Sequence, residues 1–206
     1  INDDISNEQR LEFINNINKI SNVEDVISLR MNQVLVGMIV NGSDLKRNSG
    51  IKVQKNKAII SLNVLSVGDK KFKEISNNKD IVIINNYNGK DILKDNIKEI
   101  KICADNGSDY KNSKLDENKC STYDKFLITK NDEYNYNWLD DNLTIIISDQ
   151  LYDELHSKYN HFSETNIDDI DEVKYSEIYI KTNDIDKAIH EINNNNLGLN
   201  LEIENL

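Results

Sequence analysis

The chain contains no proline, only two cysteines and seven glycines among its 206 residues, and it has no long apolar segment. Its longest apolar run covers about seven residues, 34–40, whereas a membrane-spanning helix needs about 20. The sequence therefore contains no membrane span, and it lacks the pattern of a signal peptide. Because the first residue is Ile rather than Met, we expect the chain to be a piece of a longer protein, and a membrane-anchored parent stays open.

Basic residues are in deficit, and the formal net charge is -11. Residues 1–64 are close to neutral, with 8 basic and 7 acidic side chains, whereas residues 124–172 carry 3 basic and 13 acidic ones. This distribution excludes a nucleic-acid partner, whose phosphates require a basic surface. An acidic stretch of this kind is either a solvated face or a surface that attracts cationic ligands.

Catalytic motifs are missing as well. The glycines are scattered, so there is no phosphate-binding loop, and no nucleophile elbow is present. His156 and His161 stand five residues apart, which does not fit the i, i+4 spacing of a zinc-protease helix. We therefore expect no catalytic residue, no metal site and no cofactor.

The two cysteines, Cys103 and Cys120, enclose a segment rich in Asn, Ser, Asp and Lys. A disulfide closing a loop of this size would contribute about 3 kcal/mol to stability. Two free thiols fit the sequence equally well, so the pair does not decide the cellular compartment.

Both ends of the chain carry compact α/β patterns. Near the start, an apolar stripe at Leu11, Ile14 and Ile17 predicts a helix from Ser6, followed by strands at 23–31 and 34–40. Near the end, a strand at 175–181 precedes a helix from Ile185, whose apolar residues recur at helical spacing, and a closing strand at 197–206. This layout predicts that the two ends belong to one layer.

The middle of the chain has shorter, mostly extended segments. We predict strands at 80–84, 97–103, 126–129 and 143–147, a helix at 150–159, and a mobile loop at 104–122. The predicted class is therefore α+β. A split α/β subdomain of βαβ-type units comprises residues 1–66 and 172–206, and an inserted, mostly β subdomain comprises residues 67–171.

Two groups of residues are weak candidates for a binding surface. Tyr134, Tyr136 and Trp138 alternate with asparagines, so an extended backbone would place the three rings on one face, either as an exposed recognition surface or as one buried face of a strand. Asp168, Asp169, Asp171 and Glu172 form an acidic run that reads as a solvated linker or as a contact for a cationic partner.

Several stretches, taken in order, resemble one protein family. The sequence is similar to the extracellular domain of FtsX-type ABC transporter permeases, the MacB-like periplasmic core, as found in low-GC Gram-positive bacteria. The stretches that carry the likeness are the opening helix at 6–14, Val67 to Ile75, Ile81 to Tyr87, Leu143 to Leu151 and Ile178 to Ala188. Residues 104–142 match nothing in the family pattern.

The resemblance implies a non-catalytic domain on the extracellular side of the cell membrane, held between two transmembrane helices of the same permease. ATP hydrolysis would occur on a separate cytoplasmic ABC ATPase subunit. The domain would bind a substrate or partner, such as a cationic peptide or a surface protein, or transmit conformational change across the membrane. Export of antimicrobial peptides, or resistance to them, is the associated role.

Two other classes remain open from the residues alone. The chain can be a free-standing cell-surface or secreted binding module, which flanking membrane spans in the full gene would exclude. It can also be a small α/β enzyme, which a deep polar pocket with strongly perturbed titratable groups would support.

Overall fold

The fold is α+β, as predicted. The computed structural model describes residues 7–31, 36–105, 115–130, 143–159 and 177–194. The helices are α1 (Asn7–Ile17), α2 (Asp69–Ile75), α3 (Asp149–Tyr159) and α4 (Ile185–Asn194). The strands are β1 (Val23–Met31), β2 (Val36–Asn41), β3 (Val53–Gln54), β4 (Lys57–Ser66), β5 (Ile81–Ile84), β6 (Ile100–Asp105), β7 (Leu115–Tyr123), β8 (Phe126–Thr129), β9 (Leu143–Ile147) and β10 (Glu177–Thr182).

The chain forms two compact units, one of which combines residues 1–30 with residues 163–206. In this first unit β1 and β10 pair in antiparallel register, with Val26 opposite Ile180. Helices α1 and α4 supply a shared buried core, and the strands add partly buried apolar side chains to it. The core consists of Phe13, Ile17, Ala188 and Ile192. The two ends of the chain thus complete one another, because each helix buries its apolar side chains against those of the other.

A polar clasp, made of Asn22, Thr182 and Asp184, joins the start of β1 to the end of β10. The Asn22 side-chain amide donates to the Thr182 hydroxyl at 3.0 Å and to the Asp184 carbonyl at 2.7 Å. The Thr182 hydroxyl donates in turn to the Asn22 carbonyl at 2.8 Å. Asp184 also caps α4, since its carboxylate accepts from the Lys187 amide at 3.1 Å. Asn22 is buried, so its own hydrogen bonds are partly shielded from water.

The second unit comprises residues 31–162 and is built on one mixed sheet. Its strands follow the order β7-β6-β2-β4-β9-β5-β8, with β3 paired to the first part of β4. The pairs β4–β9 and β5–β8 are parallel, and the others are antiparallel. β5 and β9 are buried throughout, as expected for continuous runs of Ile and Val in central strands.

The boundary between the units differs from the predicted one. Residues 36–66, which the sequence assigned to the terminal subdomain, group with the second unit because of their strand pairing. The first half of β4 pairs with β2, its second half pairs with β9, and β2 pairs with β6 on its other edge.

The predicted loop at 104–122 is wrong in its second half. Residues 115–123 form β7, which pairs with β6 at the edge of the sheet. The strand has no apolar alternation, because most of its side chains are partly or fully exposed, so periodicity could not reveal it. Residues 106–114, the predicted helix start at Ser6 and the predicted closing strand at 197–206 lie outside the described residues. Within the described ranges, no helix is long and apolar enough to cross a membrane.

The polar clasp gives the first test of the fold. Replacing Asn22 with Ala removes two side-chain hydrogen bonds, to the Thr182 hydroxyl and to the Asp184 carbonyl, and at about 0.5–1.5 kcal/mol for each bond we expect a loss of about 1–3 kcal/mol in the free energy of unfolding. The matched control is Asn183→Ala, since Asn183 is exposed and should change stability by less than about 0.5 kcal/mol. Urea denaturation measures both; equal stability of the two variants would show that the clasp does not hold the chain ends.

Candidate functional site

A shallow pocket of about 280 Å³ lies in the second unit at the carboxyl ends of the parallel strands β5 and β8. In open sheets with parallel strands, ligands bind outside the carboxyl ends of the strands, and this pocket lies at such a position. One wall is formed by Leu127 to Lys130, at the end of β8. The other wall is formed by Asn85, Asp91 and Asp95.

Asn85 shapes this pocket. It directly follows the buried run of β5, and it is itself buried. Its side-chain oxygen accepts from the Ile92 amide at 3.0 Å and from the Leu93 amide at 2.9 Å, and its side-chain nitrogen donates to the Leu93 carbonyl at 2.9 Å. Asn85 therefore fixes residues 92 and 93, and with them the segment that carries Asp91 and Asp95.

The electrostatics of the pocket are mixed. Asp91 accepts a hydrogen bond from the Lys46 ammonium at 3.3 Å, so part of its charge is compensated. Asp95 and Lys130 are both exposed and carry opposite charges at the rim. The lining contains no Ser, Cys or His, and its functional groups are two carboxylates, one amide, one ammonium and the hydroxyl of Thr129, a residue that is buried. Such a set suits binding of a small charged group better than covalent catalysis.

A second polar group lies at the carboxyl ends of β4 and β9. The buried Ser66 hydroxyl donates to the Asp149 carboxylate, and the Asp149 amide donates to the Asp69 carboxylate at 3.0 Å. The Ser148 hydroxyl accepts from the Leu151 amide at 3.1 Å. Asp69 and Asp149 are the first residues of α2 and α3, so these contacts satisfy helix N-termini and have a structural role.

A third group connects α3 to β7. The Lys158 ammonium donates to the Ser121 hydroxyl at 2.6 Å, and the Ser121 hydroxyl lies 3.0 Å from the Tyr159 hydroxyl. Nearby on β7, burial raises the pKa of Tyr123. A nucleophilic serine needs a base that accepts its proton, and here the neighbouring lysine donates to the oxygen instead. This group therefore fastens the helix to the strand.

Cys103 and Cys120 are joined by a disulfide, with an S–S distance of 2.05 Å. They stand directly opposite each other on β6 and β7, and Cys103 is buried. The register slips just beyond the bridge, where Asp105 faces Leu115, so residues 116–119 bulge out of β7. Of the two states that the sequence left open, the structure has the bonded one.

The sequence-predicted binding residues cannot be placed. Tyr134, Tyr136, Trp138, Asp168, Asp169, Asp171 and Glu172 all lie outside the described residues. The pocket residues Asn85, Asp91, Asp95 and Lys130 were not predicted as a site, because they come together only through the pairing of β5 with β8. The one available signal was a polar Asn placed directly after four apolar residues.

In the part of the chain that the structure describes, no group of three or more His, Cys, Asp or Glu side chains could hold a metal ion. A scan against models of known protein families found no match, and a search of curated proteins found none either.

The role of Asn85 can be tested by substitution. Asn85→Ala leaves two buried backbone amides and one carbonyl without partners, and we expect a loss of at least about 2 kcal/mol in the free energy of unfolding. NMR amide shifts of residues 91–95 should change in the same variant, because the pocket wall loses its support. Asn96→Ala is the control, since Asn96 is exposed on the same segment. Unchanged stability and unchanged shifts in Asn85→Ala would contradict this role.

Proposed function

We propose that this chain is a non-catalytic extracellular domain of an FtsX-type ABC transporter permease, with a MacB-like periplasmic core. It binds a substrate or partner, transmits conformational change across the membrane, or does both. A cytoplasmic ABC ATPase subunit supplies the energy, and the flanking transmembrane helices of the same permease connect the two. The role is export of antimicrobial peptides or resistance to them.

The observation that carries this proposal is the first unit, in which both ends of the chain share a core. A domain inserted between two membrane helices is held at both of its ends. Pairing of β1 with β10 and the common core of α1 and α4 give the two attachment points one rigid base. Movement of either flanking helix would then move the whole first unit rather than one terminal segment alone.

The disulfide supports an extracellular location. Structural disulfides persist in oxidising compartments and are rare in the cytosol. The bond between Cys103 and Cys120 holds an edge strand whose side chains are largely exposed, so it replaces part of the apolar contact that this strand lacks.

The pocket at β5 and β8 supports a binding role. Asp95 offers an exposed carboxylate beside the apolar side chains of Leu127 and Ile128. A lysine or arginine side chain combines a cationic group with an apolar stem, which matches this pairing of surfaces. A cationic peptide is therefore the natural first ligand to test, in keeping with the acidic excess of the chain.

The alternative is a free-standing cell-surface or secreted binding module. The disulfide and the pocket fit that alternative equally well. A domain anchored at both ends requires its two ends to lie together, whereas a free-standing module merely permits it, since the ends of ordinary domains often lie close together.

Alkylation of cysteine thiols in intact cells tests whether the domain lies on the extracellular side of the membrane. In intact cells expressing the full gene, we expect Cys103 and Cys120 to resist alkylation until a reductant is added. An added exposed thiol, Lys79→Cys, should react from outside with a membrane-impermeant maleimide. The double variant Cys103→Ser/Cys120→Ser is the control for the native pair. Immediate alkylation of both native cysteines, or labelling of residue 79 only after lysis, would rule out an extracellular domain.

Fractionation of the same cells distinguishes a permease domain from a free-standing binding module. We expect the full-length product to fractionate with membranes and to co-purify with an ABC ATPase after mild cross-linking. Release into the medium, with no ATPase attached, would support the free-standing module instead.

A further inference from the structure

The chain contains three Asn-Gly pairs, at 41–42, 88–89 and 106–107, and the third lies outside the described residues. In such a pair the side-chain amide carbon of the asparagine can meet the backbone nitrogen of the next residue. Glycine presents no side chain that obstructs this approach. The two described pairs share this chemistry, so their surroundings decide which of them can react.

Asn88 and Gly89 form the two-residue loop of a small hairpin. Both have positive φ, at 51° and 71°, as in a type I′ turn, which prefers Asn followed by Gly. Tyr87 and Lys90 close the hairpin. The Tyr87 amide donates to the Lys90 carbonyl at 2.9 Å, and the Lys90 amide donates to the Tyr87 carbonyl at 3.1 Å. The pairing fixes the base of the hairpin, while Asn88 and Gly89 are exposed at its tip.

The reacting atoms of this loop are unrestrained in the part of the chain that the structure describes. Neither the Asn88 side chain nor the Gly89 amide has a hydrogen-bond partner among the described residues. A Cβ built on Gly89 would meet no atom within 4 Å beyond those of its chain neighbours. The Asn88 side chain is therefore free to rotate toward the Gly89 nitrogen, and that nitrogen is open to solvent.

The pair at Asn41 and Gly42 is held at each of these points. The Gly42 amide donates to the Asn56 carbonyl at 2.9 Å, so its nitrogen must first break this bond before it can react. The Asn41 side-chain nitrogen donates to the Asp44 carboxylate at 3.2 Å. A Cβ built on Gly42 would lie 2.5 Å from the Val53 side chain, which shows how crowded this position is. The same dipeptide therefore has opposite surroundings at its two described positions.

We propose that Asn88 is a site of spontaneous deamidation, whereas the fold protects Asn41. The Gly89 backbone nitrogen loses its proton to hydroxide and forms a bond to the side-chain amide carbon of Asn88. The carbon–nitrogen bond of the side-chain amide breaks, and its nitrogen takes a proton from water and departs as ammonia. Water then opens the resulting five-membered ring at one of its two carbonyls. The product at position 88 is an aspartyl residue or an isoaspartyl residue, whose main chain runs through the side-chain carbon.

The reaction changes the charge beside the pocket wall. Residues 88–95, which include the pocket residues Asp91 and Asp95, contain two lysines and two aspartates and are neutral in sum. One more carboxylate makes this segment negative. An isoaspartyl residue also adds one carbon to the main chain of a loop whose ends Tyr87 and Lys90 hold together. The reaction needs only the turn and water, so it does not depend on the role of the domain.

Ageing of the whole 206-residue chain at mildly alkaline pH, followed by tryptic peptide mapping, tests the proposal. The two pairs fall on separate tryptic peptides, 31–46 and 80–90, and fragmentation assigns the modified position within each. We expect the mass gain of amide hydrolysis at Asn88 at a rate at least about fivefold above that at Asn41, the factor that corresponds to one net hydrogen bond. The variant Asn88→Gly keeps a turn-compatible pair and should lose the mass gain in peptide 80–90.

Unfolding in guanidinium chloride provides the matched control, because both pairs then have the same solvated surroundings. We expect the rates at Asn41 and Asn88 to become similar, chiefly through an increase at Asn41. Equal rates at the two positions in the folded protein would overturn the proposal. So would a rate at Asn88 that rises on unfolding by as large a factor as the rate at Asn41, since Asn88 would then be protected as well.

The pH dependence tests the attacking group. In the folded protein we expect the rate at Asn88 to fall as the pH is lowered, because the Gly89 nitrogen then keeps its proton. A rate at Asn88 that stays constant between mildly alkaline and mildly acidic pH, with no isoaspartyl product, would exclude attack by the backbone nitrogen and contradict the proposal.

Discussion

The structure depends on the association of the first and last segments of the chain. α1 and β1 expose an apolar face that α4 and β10 cover, and Phe13, Ile17, Ala188 and Ile192 meet in the resulting core. Such a small core provides limited hydrophobic stabilisation, so the partly buried hydrogen bonds of Asn22 and Thr182 become important. Because the partners are separated by 160 residues in sequence, this unit requires both end segments of the chain.

The second unit depends on a different constraint, the pairing of β4 along both edges. This strand joins the antiparallel part of the sheet, through β2, to the parallel part, through β9. The pairing of the strands also accounts for the pocket at β5 and β8 and for the hairpin formed by β3 and β4. The pocket exists because two parallel strands end together. The hairpin is exposed because β3 pairs with only the first two residues of β4.

Much of the fold could be predicted from local patterns. The helical stripe of α4 identified Ala188 and Ile192 as core residues, and the runs of Ile in β5 and β9 identified buried strands. Ile185 belongs to the same stripe and is nevertheless 46% exposed, because it begins the helix beyond the reach of the core. β7 could not be predicted, since its pairing with β6 and the disulfide replace the apolar alternation that sequence analysis detects. The pocket residues escaped prediction for a related reason, as they meet only through strand pairing over more than 40 positions.

The pairing of β1 with β10 can be tested by cross-linking. Ile27 and Tyr179 stand directly opposite each other in the register of the two strands. The variant Ile27→Cys/Tyr179→Cys should form an intramolecular disulfide on mild oxidation, detected by peptide mass mapping alongside the native Cys103–Cys120 bond. The control Ile27→Cys/Lys187→Cys places the second thiol on an exposed position of α4 and should stay reduced. Failure of residues 27 and 179 to cross-link, while the native bond forms, would contradict a shared unit built from both ends of the chain.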